Sequence, residues 1–230
     1  MLYLDHAATT PVRPEVLEAM MPYLTDRFGN ASSHHTVGEA AARALADARR
    51  RVAQVLGMRP GDIVFTSGGT EANNLAIKGL SLGAALHRRR GGAAQVVTTP
   101  IEHESVLASC AYLERVHGFT VTTVPVSPAG LVDAETLRSA MGPETLLASV
   151  GYANNEVGTV QDTAALSAAC ADAGVPLHLD AVQAAGWLPL SGTGADALSI
   201  AGHKIGAPQG IGVLAVRGRL PLEPILHGGG

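Results

Sequence analysis

Seven short β-branched or apolar runs punctuate this chain, and most are followed by an Ala/Leu-rich stretch of helical spacing. The runs are 62–66, 95–99, 120–126, 146–152, 176–180, 197–201 and 211–217. Between them, helices are predicted over Glu39–Gly57, from Ser67 to about Arg89, and over Ser105–Gly118, Ala134–Met141 and Ala164–Ala173. In the first of these, Ala41, Leu45, Ala48, Val52 and Val55 keep helical spacing and Gly57 supplies a stop. Strand–helix alternation predicts an α/β fold with a mostly parallel sheet flanked by helices on both faces. No internal repeat and no linker interrupts the pattern, so residues 1–230 read as one large domain. Ligands in such sheets bind beyond the carboxyl ends of the strands, which is where the search for chemistry begins.

Composition narrows the classes. Apolar residues make up 47% of the 230 and charged residues 16%, enough to bury a substantial core. The formal net charge of −4 argues against a nucleic-acid partner. The one basic cluster, His87-Arg88-Arg89-Arg90, precedes Gly91-Gly92 and reads as a solvated helix end. No apolar run is long enough to span a bilayer, and the first residues lack the basic-then-apolar layout of a secretory signal. The two cysteines, Cys110 and Cys170, fall in helical Ala-rich segments and read as buried free thiols. A cytoplasmic location is expected, and no metal site is.

Residues of chemical interest stand at five strand ends. Ser67-Gly68-Gly69-Thr70 lies between a strand and a helix, where backbone N–H groups and the helix dipole suit a phosphate. The same residues also make an ordinary helix cap, and no Gly-Lys-Ser/Thr follows to mark a nucleoside triphosphate site. His103, in Glu102-His103-Glu104, could stack on a planar ring and move protons, or simply start a helix. Asn155 could bond a ring oxygen, or serve a turn. Asp180 ends one strand, with Gln183 three residues on, and Lys204 follows the next strand in Gly202-His203-Lys204. A carboxylate can keep a pyridine nitrogen protonated, and a lysine with a lowered pKa can form an imine. Together they point to pyridoxal 5'-phosphate as the cofactor, with His203 a further phosphate ligand.

The motifs then carry a resemblance. Tyr3-Leu4-Asp5-His6-Ala7-Ala8-Thr9-Thr10-Pro11, Phe28-Gly29-Asn30, Phe65-Thr66-Ser67-Gly68-Gly69-Thr70-Glu71, Glu102-His103, Asn154-Asn155-Glu156-Val157-Gly158, Asp180-Ala181-Val182-Gln183, Gly202-His203-Lys204 and His227-Gly228-Gly229-Gly230 occur in one order along the chain. In this the sequence resembles the cysteine desulfurases, class V members of the fold-type I pyridoxal-phosphate enzymes. The resemblance implies Lys204 as the Schiff-base lysine, Asp180 on the pyridinium and His103 stacked on the ring as an acid/base. It implies Gln183 and Asn155 near the ring oxygen, and Gly69, Thr70 and His203 at the phosphate. The implied reaction removes sulfur from L-cysteine, leaving L-alanine and an enzyme persulfide. The implied partners are a sulfur-acceptor protein, such as an iron–sulfur scaffold, and a second copy in a homodimer. Residues 1 to about 30 would pack with a small C-terminal domain.

Two departures from that pattern matter. Ala201 stands where the family usually has a Ser that donates to the phosphate, a loss of about 1.5–3 kcal/mol. Family members also continue past His227-Gly228-Gly229-Gly230, through the small domain, a substrate-binding arginine, a threonine reaching the partner's phosphate, and the sulfur-accepting cysteine. Cys110 and Cys170 do not match that cysteine by position. The chain is therefore expected to be the large-domain portion of such an enzyme, able at best to bind the cofactor at Lys204. A selenocysteine lyase or another class V enzyme is an alternative reading, and a cofactor-free scaffold is another.

Overall fold

The computed structural model describes residues 2–88 and 93–228. Its frame is a seven-stranded sheet in the order β1-β7-β6-β5-β4-β2-β3. The strands are β1 (Ile63–Thr66), β2 (Gln95–Thr98), β3 (Thr120–Thr123), β4 (Thr145–Gly151), β5 (Leu177–Asp180), β6 (Ala197–Ala201) and β7 (Gly212–Val216). Pairings from β6 across to β3 are parallel, as the alternation predicts. β7 runs antiparallel to both β6 and β1. Its reversal has a simple cause: residues 202–211 are too few for the crossover that a parallel partner needs.

The helices are α1 (Pro14–Leu24), α2 (Thr36–Leu56), α3 (Gly69–Asn74), α4 (Leu80–His87), α5 (Glu104–His117), α6 (Ala134–Ala140) and α7 (Thr163–Ala173). A π-helical turn, Leu75–Gly79, joins α3 to α4. The expected end of this helix near Arg89, and the rest of the basic cluster and Gly pair after it, lie outside the described residues. α2 closes as expected on Gly57, whose φ of 63° is the left-handed conformation that glycine adopts without steric cost. The run 120–126 ends as a strand at Thr123, leaving Val126 only an isolated bridge to Val132.

Two apolar layers sandwich the sheet. One collects residues from α2, α6 and α7 with Leu177 and Leu179 of β5, and the other collects α3, α4 and α5. All four β5 residues are buried. Alternation along the strand turns Leu177 and Leu179 to the first layer, so His178 and Asp180 face the second. A polar pair is thus built into the middle of the sheet, on the side that α3 and α5 cover.

Two features go beyond the sequence reading. The helix α1 was not foreseen: Pro22 interrupts its pattern and Arg13 at its N-cap makes no side-chain cap bond. The stripe predicted on α2 is only partly buried. Ala53 and Leu56 enter the core, whereas Leu45 is 42% and Val55 67% exposed. Ala41, Leu45 and Ala48 instead face a surface groove shared with Tyr23 and Phe28.

Candidate active site

The ends of β1, β2, β4, β5 and β6 deliver side chains to one cavity of about 290 Å³. After β1, Ser67 and Gly68 lead into α3, whose first helical bond runs from the Ala72 N–H to the Gly68 carbonyl at 3.0 Å. The amides of Gly69 and Thr70 precede that bond, a donor pair suited to an anion. Gly69 also permits close approach, since a Cβ there would lie 2.8 Å from Val182 Cγ2 and 3.3 Å from the Ala201 Cβ. Glu71 turns away to accept from the Ser67 N–H at 2.7 Å and its hydroxyl at 2.6 Å. Its charge is therefore spent on the loop, not on the cavity.

Lys204 sits on the 3-10 turn Gly202–Lys204 just past β6. Its ammonium donates to the carbonyls of Ala7 and Ala8, the latter at 2.9 Å. Burial pulls the Lys204 pKa below the usual lysine range, and the charges of Asp5 and Asp180 work against that pull. The N-terminal strap is pinned beside it. The Thr10 hydroxyl donates to the His203 carbonyl at 2.8 Å and accepts from the Gly206 N–H at 2.9 Å. The Thr9 hydroxyl lies 3.1 Å from His203 Nδ1, and Gln183 donates to the Ala7 carbonyl at 3.0 Å.

Asp180 is buried at the end of β5. It accepts from the Val182 N–H at 3.0 Å and from Asn73 Nδ2 at 2.7 Å. Burial raises its pKa, while these two donors and the nearby positive charge of Lys204 draw it back. His103 caps α5, its Nδ1 accepting from the Ser105 N–H at 3.1 Å. After β4, Asn154 ties its own turn together, accepting from the Glu156 and Val157 N–H groups at 2.8 and 3.0 Å, which leaves Asn155 on the cavity rim. All eight residues singled out in the sequence, Gly69, Thr70, His103, Asn155, Asp180, Gln183, His203 and Lys204, line this one cavity.

Asn73, Glu102 and Ser105, to which sequence reading gave no role, also line the cavity. Asn73 stands one helical turn after Gly69, a spacing that places both on one face. Glu102 accepts from the Thr99 hydroxyl at 2.6 Å. Burial pushes its carboxyl up to about 7; the Thr99 and Gly151 hydrogen bonds lower it and the charge of Asp180 raises it further. Behind Asp180, His178 is fully buried between Ser149 (Nδ1, 2.9 Å) and Ser199 (Nε2, 2.9 Å). Its pKa falls to about 3 through burial, so it stays neutral and serves the fold.

The model of the family described as Aminotransferase class-V matches residues 2–230. The chain belongs to the class-V aminotransferase family. Among the curated relatives of this class-V chain, the cysteine desulfurase IscS of Dictyoglomus turgidum is 41% identical over 230 residues, covering 99% of this chain and 57% of its own length. An IscS-like cysteine desulfurase of Mycobacterium tuberculosis is 46% identical over 237 residues, covering 100% and 59%. A solved structure of SspA in complex with cysteine superposes with a TM-score of 0.93 at 40% identity, over all of this chain and 66% of that one. The class-V chain thus spans somewhat more than half the length of the curated relatives it matches.

The donor set fits pyridoxal phosphate. Gly69, Thr70 and His203 offer donors at one end, Asp180 offers a buried carboxylate, and Lys204 offers an amine with a lowered pKa.

Proposed function

We propose that this chain binds pyridoxal 5'-phosphate at Lys204 and forms the cofactor-binding part of a cysteine desulfurase, which converts L-cysteine to L-alanine and a protein persulfide. The convergence of Lys204, Asp180 and the Gly69–Thr70 amides on one cavity carries this reading. The names of the relatives support the substrate, and one similar structure holds cysteine.

When bound, pyridoxal phosphate supplies an aldehyde for imine formation and a ring that withdraws electrons from a substrate carbanion. The residues divide the remaining work. Lys204 presents its amine, and the carbonyls of Ala7 and Ala8 orient it. Asp180 holds a proton on the ring nitrogen by offering a carboxylate that cannot donate one when ionised. His103 would cover the ring when it is bound and would move a proton near the reacting carbon. With the cofactor bound, Asn155 and Gln183 would bond the ring oxygen, and Gly69, Thr70 and His203 would hold the phosphate.

Cys110 and Cys170 are buried, and burial pushes both thiols up to about 12. Neither is a competent nucleophile, so the thiol that takes the sulfur is a different one. By the same family likeness, residues 1–30 pack with a small domain, the protein acts in the cytoplasm as a homodimer, and it passes sulfur to an acceptor such as an iron–sulfur scaffold.

Purified protein incubated with pyridoxal phosphate is expected to show an absorbance band at the edge of the visible. Borohydride reduction and peptide mapping should then find the adduct on Lys204 and lose it in Lys204→Ala. An adduct of equal yield in that variant would refute the assignment. Ala201→Ser, which restores a hydroxyl beside Gly69, should tighten cofactor binding by about tenfold.

A further inference from the structure

Four side chains from three elements, β5, α3 and the start of α5, form one line along the cavity. Asp180 Oδ2 accepts from Asn73 Nδ2 at 2.7 Å. The same nitrogen donates to Ser105 Oγ at 2.9 Å, and Ser105 Oγ lies 2.7 Å from His103 Nδ1. Asn73 is 1% and Ser105 7% exposed, so the middle of the line is shielded from bulk water, while His103 at its end is exposed.

The direction of donation along the line follows from its two ends. Asn73 turns its NH2 group toward Asp180, whose Oδ2 accepts. The second proton of that NH2 goes to Ser105. The serine oxygen accepts it and aims its own proton at His103 Nδ1. The Ser105 backbone N–H points at the same ring nitrogen. With two donors aimed at it, Nδ1 carries no proton, and the proton of the neutral ring sits on Nε2. One further detail agrees: Asn73 Oδ1 is buried without a partner. An amide free to choose would satisfy its carbonyl. This one is oriented by the charge of Asp180 at the expense of that carbonyl.

We infer that Asn73 and Ser105 are positioning residues that transmit the ionised state of Asp180 to His103 and hold its imidazole as the Nε2–H tautomer. The inference rests on the proposed reading of the cavity, in which Asp180 and His103 serve one cofactor ring. It deepens that reading by assigning work to two residues that touch the reacting groups only through others. An imidazole fixed in this way meets the cofactor with a known protonated nitrogen, and two donors from Ser105 hold the ring at Nδ1.

Imidazole nitrogen NMR on ¹⁵N-labelled protein tests this without the cofactor, with His103 signals identified by their loss in His103→Gln. In the unsubstituted protein, His103 Nδ1 should be unprotonated and shifted as a hydrogen-bond acceptor. Ser105→Ala should move that resonance toward the unbonded value, and Ser105→Thr, which keeps the hydroxyl, should leave it near its original position. Asn73→Ala should move it in the same direction as Ser105→Ala and weaken pyridoxal phosphate binding about tenfold, because Asp180 loses a charged hydrogen bond. A protonated Nδ1, or a resonance unmoved by Ser105→Ala, overturns the relay. A correct tautomer pattern with no borohydride adduct at Lys204 overturns only the cofactor reading.

Discussion

The strand-end cavity and the N-terminal limb, residues 2–56, treat apolar and polar groups in opposite ways. Around the cavity, polar side chains such as Asn73, Asp180 and Ser149 are buried and hydrogen-bonded in a well-covered sheet. In the limb, large apolar side chains stand open: Leu4 is 78%, Leu24 64% and Phe28 75% exposed. Helix α1 buries none of its residues. The limb is nonetheless tied to the site, because Ala7, Ala8, Thr9 and Thr10 bond to Lys204 and His203. The lesson is that helical patterning alone does not say what covers a face. The sheet layer supplies a surface for α3 and α5, but among the described residues no comparable apolar surface lies over α1.

Substitutions can break this contrast, and the largest effect is expected in the core. Leu179→Ala empties a fully buried position of β5 and should cost about 2–5 kcal/mol in chemical denaturation. A loss under about 1 kcal/mol would mean that the sheet is looser than its packing implies. The next effect is electrostatic. A carboxyl raised to about 7 from an ordinary value of 4.5 favours the fold while it stays protonated. That stability is fully present below pH 4.5 and is lost as pH rises through 7, a change on the order of 3 kcal/mol. Glu102→Gln should flatten this part of the stability-versus-pH curve, leaving the variant the more stable protein at pH 8. Parallel curves for the two proteins would contradict the burial of that charge.

The third prediction concerns the tie between the regions. Thr10→Val removes two hydrogen bonds that pin the strap to the Lys204 turn. It should cost about 1–2 kcal/mol and speed hydrogen exchange at Gly206 without altering exchange in β5. Equal effects in both places would show that the strap is not a separate unit. The smallest effect belongs to the limb. Leu24→Ala, at an exposed position, should change stability by no more than about 0.5 kcal/mol. A larger loss would show that α1 is covered in solution.

Much of the fold was legible before any coordinates. β-branched runs, helical spacing and the Gly57 stop located the sheet and most helices, because strand and helix periods are local properties. The eight residues singled out as candidates, which line one cavity, were also visible, since chemistry in a parallel sheet collects at strand ends and these residues sit there in sequence. The Cys110 and Cys170 reading agreed with their burial. α1 was obscured by Pro22 and an uncapped start, and the stripe on α2 correctly marked a helix but not what its face meets.

By itself, the order of residues determined which positions could carry a phosphate, a ring nitrogen and an imine, because each follows a strand whose end must face the same rim. Tertiary structure alone decided how those positions act on one another. Ser105 is 32 positions from Asn73, and Asn73 is 107 from Asp180. No local period links residues so far apart; only the packing of α3 and α5 over β5 brings their donors and acceptors within reach.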